Sequence, residues 1–373
     1  MNYKVRFVNP QKQYKMYKKE FLATIDDVLS RGDLIMRSDL ATFEKRLAKF
    51  VGTKYAIGLN SGTDALSLAF EAIELKPSDE VITVAHTFMA SISAIAHHGA
   101  TPVLIDAGKD FNIDAAKIER AITKRTKAIE PVHLNGRLCD MEKIMAIAKK
   151  HNLSVVEDAA QALGAKMKMK NGAWQKAGSF GSAGCFSFYP FKSLGCFGDG
   201  GGLTTNDPEI ARRIKLLRDN GENRDERKFY YHGYSCLMDN LQAAVLNIKL
   251  TYFPDWVKRR RKIASLYQKG LANIGEVRLP HFDDKRFFDA YQNYVIRAER
   301  RNELVQYLKE KGVETLISWK TPMYREPVMQ PNAISLPETE KICKEVVSLP
   351  MYPELTDAQV AYVINTVINF YRQ

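Results

Sequence analysis

The chain has 373 residues, of which 45% are hydrophobic and 26% charged, ordinary values for a water-soluble globular protein long enough to form two domains. No apolar run approaches the ~20 residues that cross a bilayer, and the start of the chain has no signal-peptide core, so we expect a cytoplasmic protein that binds no membrane. The formal net charge is +12, but the basic residues are scattered along predicted helices, with one tight cluster at residues 258–262, so we expect no nucleic-acid partner.

Helical and strand patterns alternate along the first part of the chain. Helical spacing of apolar residues predicts helices over residues 14–30, 40–51, 63–73, 88–97, 115–122 and 141–151. Short apolar runs predict strands over residues 55–59, 81–84, 102–106, 128–133 and 154–157. This alternation predicts an α/β fold whose mostly parallel sheet is covered by helices on both faces.

The pattern changes after residue 205. Helices are predicted over residues 209–218, 302–311 and 357–371, and one long helix, or two in succession, over residues 239–272 with a bend or break near Pro254. Strand-like runs follow at residues 277–279, 292–297 and 313–317. We therefore predict a large domain over residues 1–250 and a smaller α+β domain over residues 251–373.

A strand turns into a helix through Ser61, Gly62 and Thr63. Backbone N–H groups and hydroxyls at a helix N-terminus form an anion site suited to phosphate, although an ordinary helix cap has the same sequence. Phe88 opens the next predicted helix and could stack on a flat ring or belong to the core.

Two charged residues further along have unusual surroundings. Asp158 ends an apolar strand, where ligands bind in open α/β sheets, and its carboxylate could keep a pyridine nitrogen protonated or simply cap a helix. Lys192 lies among aromatic and small residues before a glycine-rich stretch at residues 198–202. Desolvation would make its amine neutral and able to condense with an aldehyde; a lysine in a flexible surface turn is the alternative.

Together these residues supply a phosphate site, a stacking ring, a partner for a pyridinium nitrogen and an amine. The cysteines have no CxxC spacing, so we expect buried neutral thiols, with neither disulfides nor a metal site. They are Cys139, Cys185, Cys196, Cys236 and Cys343.

At these residues the sequence resembles the DegT/DnrJ/EryC1/StrS family of sugar aminotransferases, a branch of the fold-type I pyridoxal-phosphate (PLP) enzymes. The resemblance covers nearly the whole chain. Its motifs include NSGTDAL at 60–66, EDAAQ at 157–161, FSFYP at 186–190 followed by Lys192, GDGG at 198–201 and SLPMYP at 348–353. It implies a fold-type I transferase with a large PLP-binding domain, a small C-terminal domain and a homodimer whose sites lie at the interface.

The resemblance also implies residue roles. Lys192 would form the Schiff base with PLP, and Asp158 would bind the pyridine nitrogen. The further cofactor contacts that it implies are Gly62, Thr63, Phe88, Gln161 and Ser187.

Departures from the family pattern cluster on the substrate side. Asn135 stands where the family often has Tyr. Ser235 and Leu237 replace the Asn and Arg of a Gly-(Tyr/Phe)-Asn-x-Arg pattern whose Asn usually reaches the phosphate of the neighbouring subunit; Ser235 can still donate one hydrogen bond. A His-Tyr pair found in many sugar-handling members is also absent, since residues 318–324 read SWKTPMY. We infer an unusual acceptor.

The candidate substrate contacts have structural roles as their alternative. They are His86, His133, Trp319 and Tyr324.

The sequence thus predicts a PLP-dependent aminotransferase that moves an amino group from an amino acid, glutamate, to a nucleotide-linked keto-sugar through Lys192. A cyclitol or a small keto-compound is the alternative acceptor. A PLP-dependent sugar dehydratase is disfavoured because such relatives carry His in place of Lys192. A non-catalytic PLP-binding regulator is disfavoured because Lys192 and Asp158 are both intact.

Overall fold

The computed structural model describes residues 3–280, 285–329 and 334–373 of the chain. The helices in these residues are α1 (Pro10–Arg31), α2 (Ser38–Val51), α3 (Gly62–Ala72), α4 (Met89–Ala96), α5 (Ala115–Ile118), α6 (Met141–His151), α7 (Pro208–Leu217), α8 (Asn240–Leu271), α9 (Arg301–Glu310), α10 (Pro337–Glu345) and α11 (Asp357–Tyr371). The strands are β1 (Tyr55–Leu59), β2 (Glu80–Val84), β3 (Thr101–Ile105), β4 (Thr126–Glu130), β5 (Ser154–Asp158), β6 (Lys166–Lys168), β7 (Trp174–Lys176), β8 (Ala183–Ser187), β9 (Gly201–Thr205), β10 (Glu222–Asn223), β11 (Lys228–Phe229), β12 (Val277–Arg278), β13 (Phe287–Phe288), β14 (Tyr294–Ala298) and β15 (Val346–Leu349).

A seven-stranded sheet in the order β1-β9-β8-β5-β4-β2-β3 forms the centre of the molecule. The strands from β8 to β3 run parallel, and β9 runs antiparallel to both of its neighbours. The predicted mostly parallel sheet is therefore confirmed. Parallel strands also place their carboxyl ends at one edge, where ligands bind in such sheets.

Helices cover both faces of this sheet, as predicted. On one face Leu66 and Phe70 of α3 are buried with Ile95 of α4. On the other face Phe43 of α2 is buried in a cluster that also contains Ile144 of α6. Burial on both faces accounts for the nearly continuous apolar strands in the sequence.

The C-terminal part has a second apolar cluster, around a sheet in the order β12-β14-β15. One continuous helix, α8, enters both clusters: Phe253 packs with the central sheet and Tyr267 with the C-terminal sheet. The predicted domain boundary at residue 250 thus falls inside a helix that also passes through Pro254. The division into two domains stays a prediction.

Strand β9 differs from the sequence prediction, which gives residues 198–202 as a loop. A Cβ at Gly201 would lie 2.1 Å from the carbonyl of Ser61, so glycine is needed where β9 passes the start of α3. The predicted strand over residues 313–317 is wrong, because only isolated bridges form at Val313 and Leu316.

The described residues bear on two expectations from composition, those for membrane-spanning helices and for the cysteines. None of their helices combines the length and the apolar character that crossing a membrane requires. All five cysteines are free and buried, as predicted, and burial raises the pKa of each thiol.

Candidate active site

A cavity of about 680 Å³ lies at the carboxyl ends of β2, β4 and β5. Its volume is in the range of small-molecule sites. Each predicted cofactor contact except Ser235 lines it, although these residues come from distant parts of the sequence. They are Gly62, Thr63, Phe88, Asp158, Gln161, Ser187 and Lys192.

Lys192 lies in the loop between β8 and β9, residues 188–200, which we call the lysine loop. Its backbone N–H donates to the carbonyl of Tyr189 at 2.8 Å. Burial lowers the pKa of the Lys192 amine, while the charge of Asp158 acts in the opposite direction and raises it. Burial in the cavity therefore makes the neutral, nucleophilic form of this amine easier to reach than it is in water.

Asp158 is the buried last residue of β5. The Ser91 hydroxyl donates to Oδ2 at 2.9 Å, and the Ala160 backbone N–H donates to Oδ1 at 3.1 Å. Thr87 lies 2.8 Å from the Ser91 hydroxyl and continues this polar chain. These bonds fix the direction of a carboxylate that lines the cavity.

The start of α3 forms another corner of the cavity. Ser61 is the N-cap of this helix, and its Oγ accepts from Asp64 N–H at 3.0 Å. A Cβ at Gly62 would lie 2.8 Å from the Cβ of Ser187, so glycine lets α3 begin directly against the end of β8. The first amides of a helix have no partner within it, and with nearby hydroxyls they form an anion site.

Phe88 and Gln161 also line the cavity. Phe88 precedes α4 and is 61% exposed, so its ring is available on the cavity surface. The Gln161 Oε1 accepts from Asn135 N–H at 2.8 Å, which orients the side-chain amide. Asn135 has a φ of 59°, a left-handed conformation that asparagine tolerates well.

Of the predicted substrate contacts, Trp319 lines the cavity, with a left-handed φ of 51°. His86 is buried behind it, with 5.2 Å between the ring centroids, and burial lowers the pKa of His86 to about 3. The hydroxyl of buried Tyr324 donates to Glu340 at 2.8 Å, away from the cavity. The geometry gives neither His86 nor Tyr324 direct access to a ligand there.

His133 and Ser235 also lie outside the cavity lining. His133 is fully buried; its Nε2 lies 3.0 Å from Glu157 Oε2, and its Nδ1 accepts from Cys139 N–H at 3.1 Å. Both ring nitrogens are thus engaged within the fold. Ser235 is exposed and forms an isolated backbone bridge with Asp219.

Sequence reasoning missed two residues that contact the site residues. Ser91 lies four residues after Thr87, and helical spacing from the start of α4 was the signal that could have identified it. Gln292 lies just before β14 and lines the cavity, and no local sequence pattern indicates that it belongs to the site.

The chain is similar over nearly its whole length to proteins of one aminotransferase family. The profile of the DegT/DnrJ/EryC1/StrS aminotransferase family matches residues 15–368. A pleiotropic regulatory protein of Geobacillus stearothermophilus is 39% identical over 375 residues, 99% of each chain. The dTDP-3-amino-3,4,6-trideoxy-alpha-D-glucose transaminase of Streptomyces venezuelae is 38% identical over 371 residues, 98% of this chain and 95% of the relative. The crystal structure of S. venezuelae DesV in complex with a ketimine intermediate has a TM-score of 0.95 and 37% identity, and the match covers 100% of both chains.

Proposed function

This chain belongs to the DegT/DnrJ/EryC1/StrS aminotransferase family, and from that membership we propose that it transfers an amino group from glutamate to a nucleotide-linked keto-sugar. It is an aminotransferase whose cofactor is pyridoxal phosphate. The observation that carries the proposal is one cavity lined by Lys192, Asp158 and the start of α3. The Streptomyces relative is named for a dTDP-linked amino sugar, which supports a nucleotide-linked acceptor.

The residues around the cavity fit PLP. The glycine contact between α3 and β8 leaves a corner where helix amides and hydroxyls can hold a phosphate, and Asp158 is a directed carboxylate. When bound, PLP supplies an aldehyde that captures amines and a ring that withdraws electrons.

Each side chain then has a distinct task. Gly62, Thr63 and Ser187 would hold the phosphate, Phe88 would stack on the ring, and Gln161 would lie near the ring hydroxyl. The Asp158 carboxylate would accept the N–H of the ring nitrogen, held in place by Ser91 and Ala160. The Lys192 amine would bond the aldehyde and, once the donor amine displaces it, take the proton from the donor's Cα. General acid–base catalysis of this kind contributes about 10²–10⁴-fold.

We also propose that the active form is a cytoplasmic homodimer. Among the residues that line the cavity, Tyr189 is 48% exposed, Phe191 is 52% exposed and Leu316 is 43% exposed. Exposed aromatic surface of this kind is typical of interfaces. In this arrangement Ser235 would face the neighbouring subunit's phosphate, as the Asn of the family pattern does.

A regulatory function is the second candidate, because the Geobacillus relative is named a pleiotropic regulatory protein. The lowered amine pKa of Lys192 and the oriented Asp158 carboxylate favour catalysis over binding alone. A cyclitol or small keto-compound remains the alternative acceptor, because Trp319 departs from the pattern of sugar-handling members.

The decisive experiment is borohydride reduction of the PLP-loaded protein followed by peptide mapping. We expect label on Lys192 and none on Lys249, a second buried lysine whose pKa burial lowers to about 8. The Lys192→Ala variant should lose at least about a thousandfold in turnover, because it lacks both the nucleophile and the proton carrier. Label elsewhere, or normal turnover of this variant, would contradict the assignment.

Glutamate and the acceptors are tested separately. Glutamate should convert the cofactor of the loaded protein to its amine form, visible as a change in absorbance, and keto-sugar nucleotides should reverse the change. Lys192 labelled without any response to glutamate would favour the regulatory candidate. Reversal by cyclitol ketones alone would favour the alternative acceptor.

A further inference from the structure

The side-chain amide of Gln292 binds the lysine loop on both sides of Lys192. Its Oε1 accepts from the backbone N–H of Ser193 at 2.6 Å and from the Ser193 hydroxyl at 2.5 Å. Its Nε2 donates to the carbonyl of Phe191 at 3.0 Å. One buried amide therefore joins the residue before Lys192 to the residue after it.

The backbone of Gln292 is itself fixed. The Arg260 guanidinium on α8 donates to the carbonyls of Tyr291, Gln292 and Met351 at 3.1, 3.2 and 3.0 Å. Gly136 packs from the other side: a Cβ there would lie only 2.5 Å from Tyr291 N. The amide thus projects from a segment that has little freedom to shift.

Other side chains hold the lysine loop further along. Lys249 Nζ donates to the carbonyl of Gly195 at 2.6 Å, and the Gln242 amide oxygen accepts from Phe197 N–H at 2.9 Å. Both contacts lie beyond the two residues that flank Lys192. Gln292 is therefore the side chain placed to fix the backbone at the lysine itself.

We infer that Gln292 is a positioning residue that sets the depth and direction of the Lys192 amine in the cavity, an inference that rests on the proposed function. The physical reason is that a nucleophile reacts efficiently only when held close to attack geometry. Without the amide, the Phe191 carbonyl and the buried Ser193 N–H lose their partners, and the loop must rearrange to find water.

The test compares Gln292→Leu with Gln242→Leu, a matched control that removes a side-chain amide of α8 which binds the same loop beyond Lys192. Hydrogen exchange of the Ser193 amide is measured in the protein freed of PLP, and the rate of imine formation is measured on adding PLP. In Gln292→Leu we expect about tenfold faster exchange and about tenfold slower imine formation. In Gln242→Leu both quantities should stay within about twofold of the wild type.

Ser193→Ala provides a second route if Gln292→Leu does not fold. This variant keeps the backbone bond to Gln292 and loses the hydroxyl bond, so we expect about threefold slower imine formation. Unchanged imine formation in whichever of the two variants folds would overturn the inference, while borohydride label on Lys192 would leave the proposed function standing. Absence of that label in the wild type would instead reject the proposed function.

Discussion

Glu130 is a buried acidic residue that the sequence pattern did not single out. It ends β4 after two apolar residues and is fully buried, and neither of its carboxyl oxygens has a hydrogen bond of good geometry among the described residues. Burial, and then the charge of Asp158, raise its pKa well above the ordinary value. Burial thus favours the protonated, neutral form of this side chain in β4, the strand next to β5.

This carboxyl makes stability depend on pH. Above pH 4.5, its ordinary pKa, the unfolded chain releases a proton that the folded protein keeps. The free energy of unfolding therefore falls as pH rises, by up to about 1.4 kcal/mol per pH unit, until the raised folded-state pKa is passed. Glu130→Gln removes this loss, so the variant should melt above the wild type at pH 8 but not at pH 4.5.

Thermal unfolding at the two pH values checks this expectation. Glu310→Gln, on the exposed surface of α9, is the control and should melt like the wild type at both. Equal melting temperatures for Glu130→Gln and the wild type at pH 8 would show that Glu130 is stabilised in some other way.

Among the elements, those built on regular local patterns could be predicted from sequence. The bounds of β1, α6 and α11 agree with the structure residue for residue, because their apolar spacing is regular. β9 was missed because Gly201 is required by the start of the neighbouring α3, a tertiary contact that no local pattern encodes. The short β6–β7 hairpin and β15 were missed because strands of three or four residues give little periodicity.

The candidate site divides in the same way. Lys192, Asp158 and Gly62 stand in local sequence contexts that indicate chemistry, and all three line the cavity. Gln292 lines the cavity from a distant segment. His133, a candidate substrate contact with a structural role as the alternative, is buried against Glu157. Local chemistry could be predicted; partners brought together by folding could not.

The close contact between α3 and β8 can be tested by a substitution at Gly62. Gly62→Ala places a methyl group 2.8 Å from the Cβ of Ser187, so the start of α3 must move away from β8. Such overpacking typically costs about 1–3 kcal/mol, and we expect PLP affinity to fall about tenfold or more. Titration of the PLP-free protein with PLP measures this. Gly275→Ala is the control, since nothing lies within 4 Å of its added Cβ. Wild-type PLP affinity in both variants would contradict the assignment of the phosphate site to the start of α3.

At the scale of the whole molecule, charge and exposed aromatic surface bear on assembly and substrate. The net charge of +12 favours encounter with an anionic sugar nucleotide without identifying one. Phe229 is 69% exposed and Tyr230 is 48% exposed, close in sequence to Ser235. This location fits a surface that meets the neighbouring subunit.

Phe229→Asp should therefore weaken the proposed dimer by at least about tenfold, because it buries a charge in an interface. Light scattering across a dilution series measures the dissociation. Trp174→Asp, which changes an exposed aromatic of the β6–β7 hairpin, is the control and should leave the assembly unchanged. A wild type that is monomeric at all concentrations would contradict the dimer itself.

The continuity of α8 determines how the protein unfolds and whether its fragments can fold. Its early turns complete the apolar cluster at the central sheet, and its later turns complete the cluster at the C-terminal sheet. A cut near residue 250 leaves Phe253 and Trp256 of the central cluster on the C-terminal fragment, and Val5 of the C-terminal cluster on the N-terminal fragment. Fragments divided near residue 250 therefore retain neither core intact, and heat should melt the two in a single cooperative step.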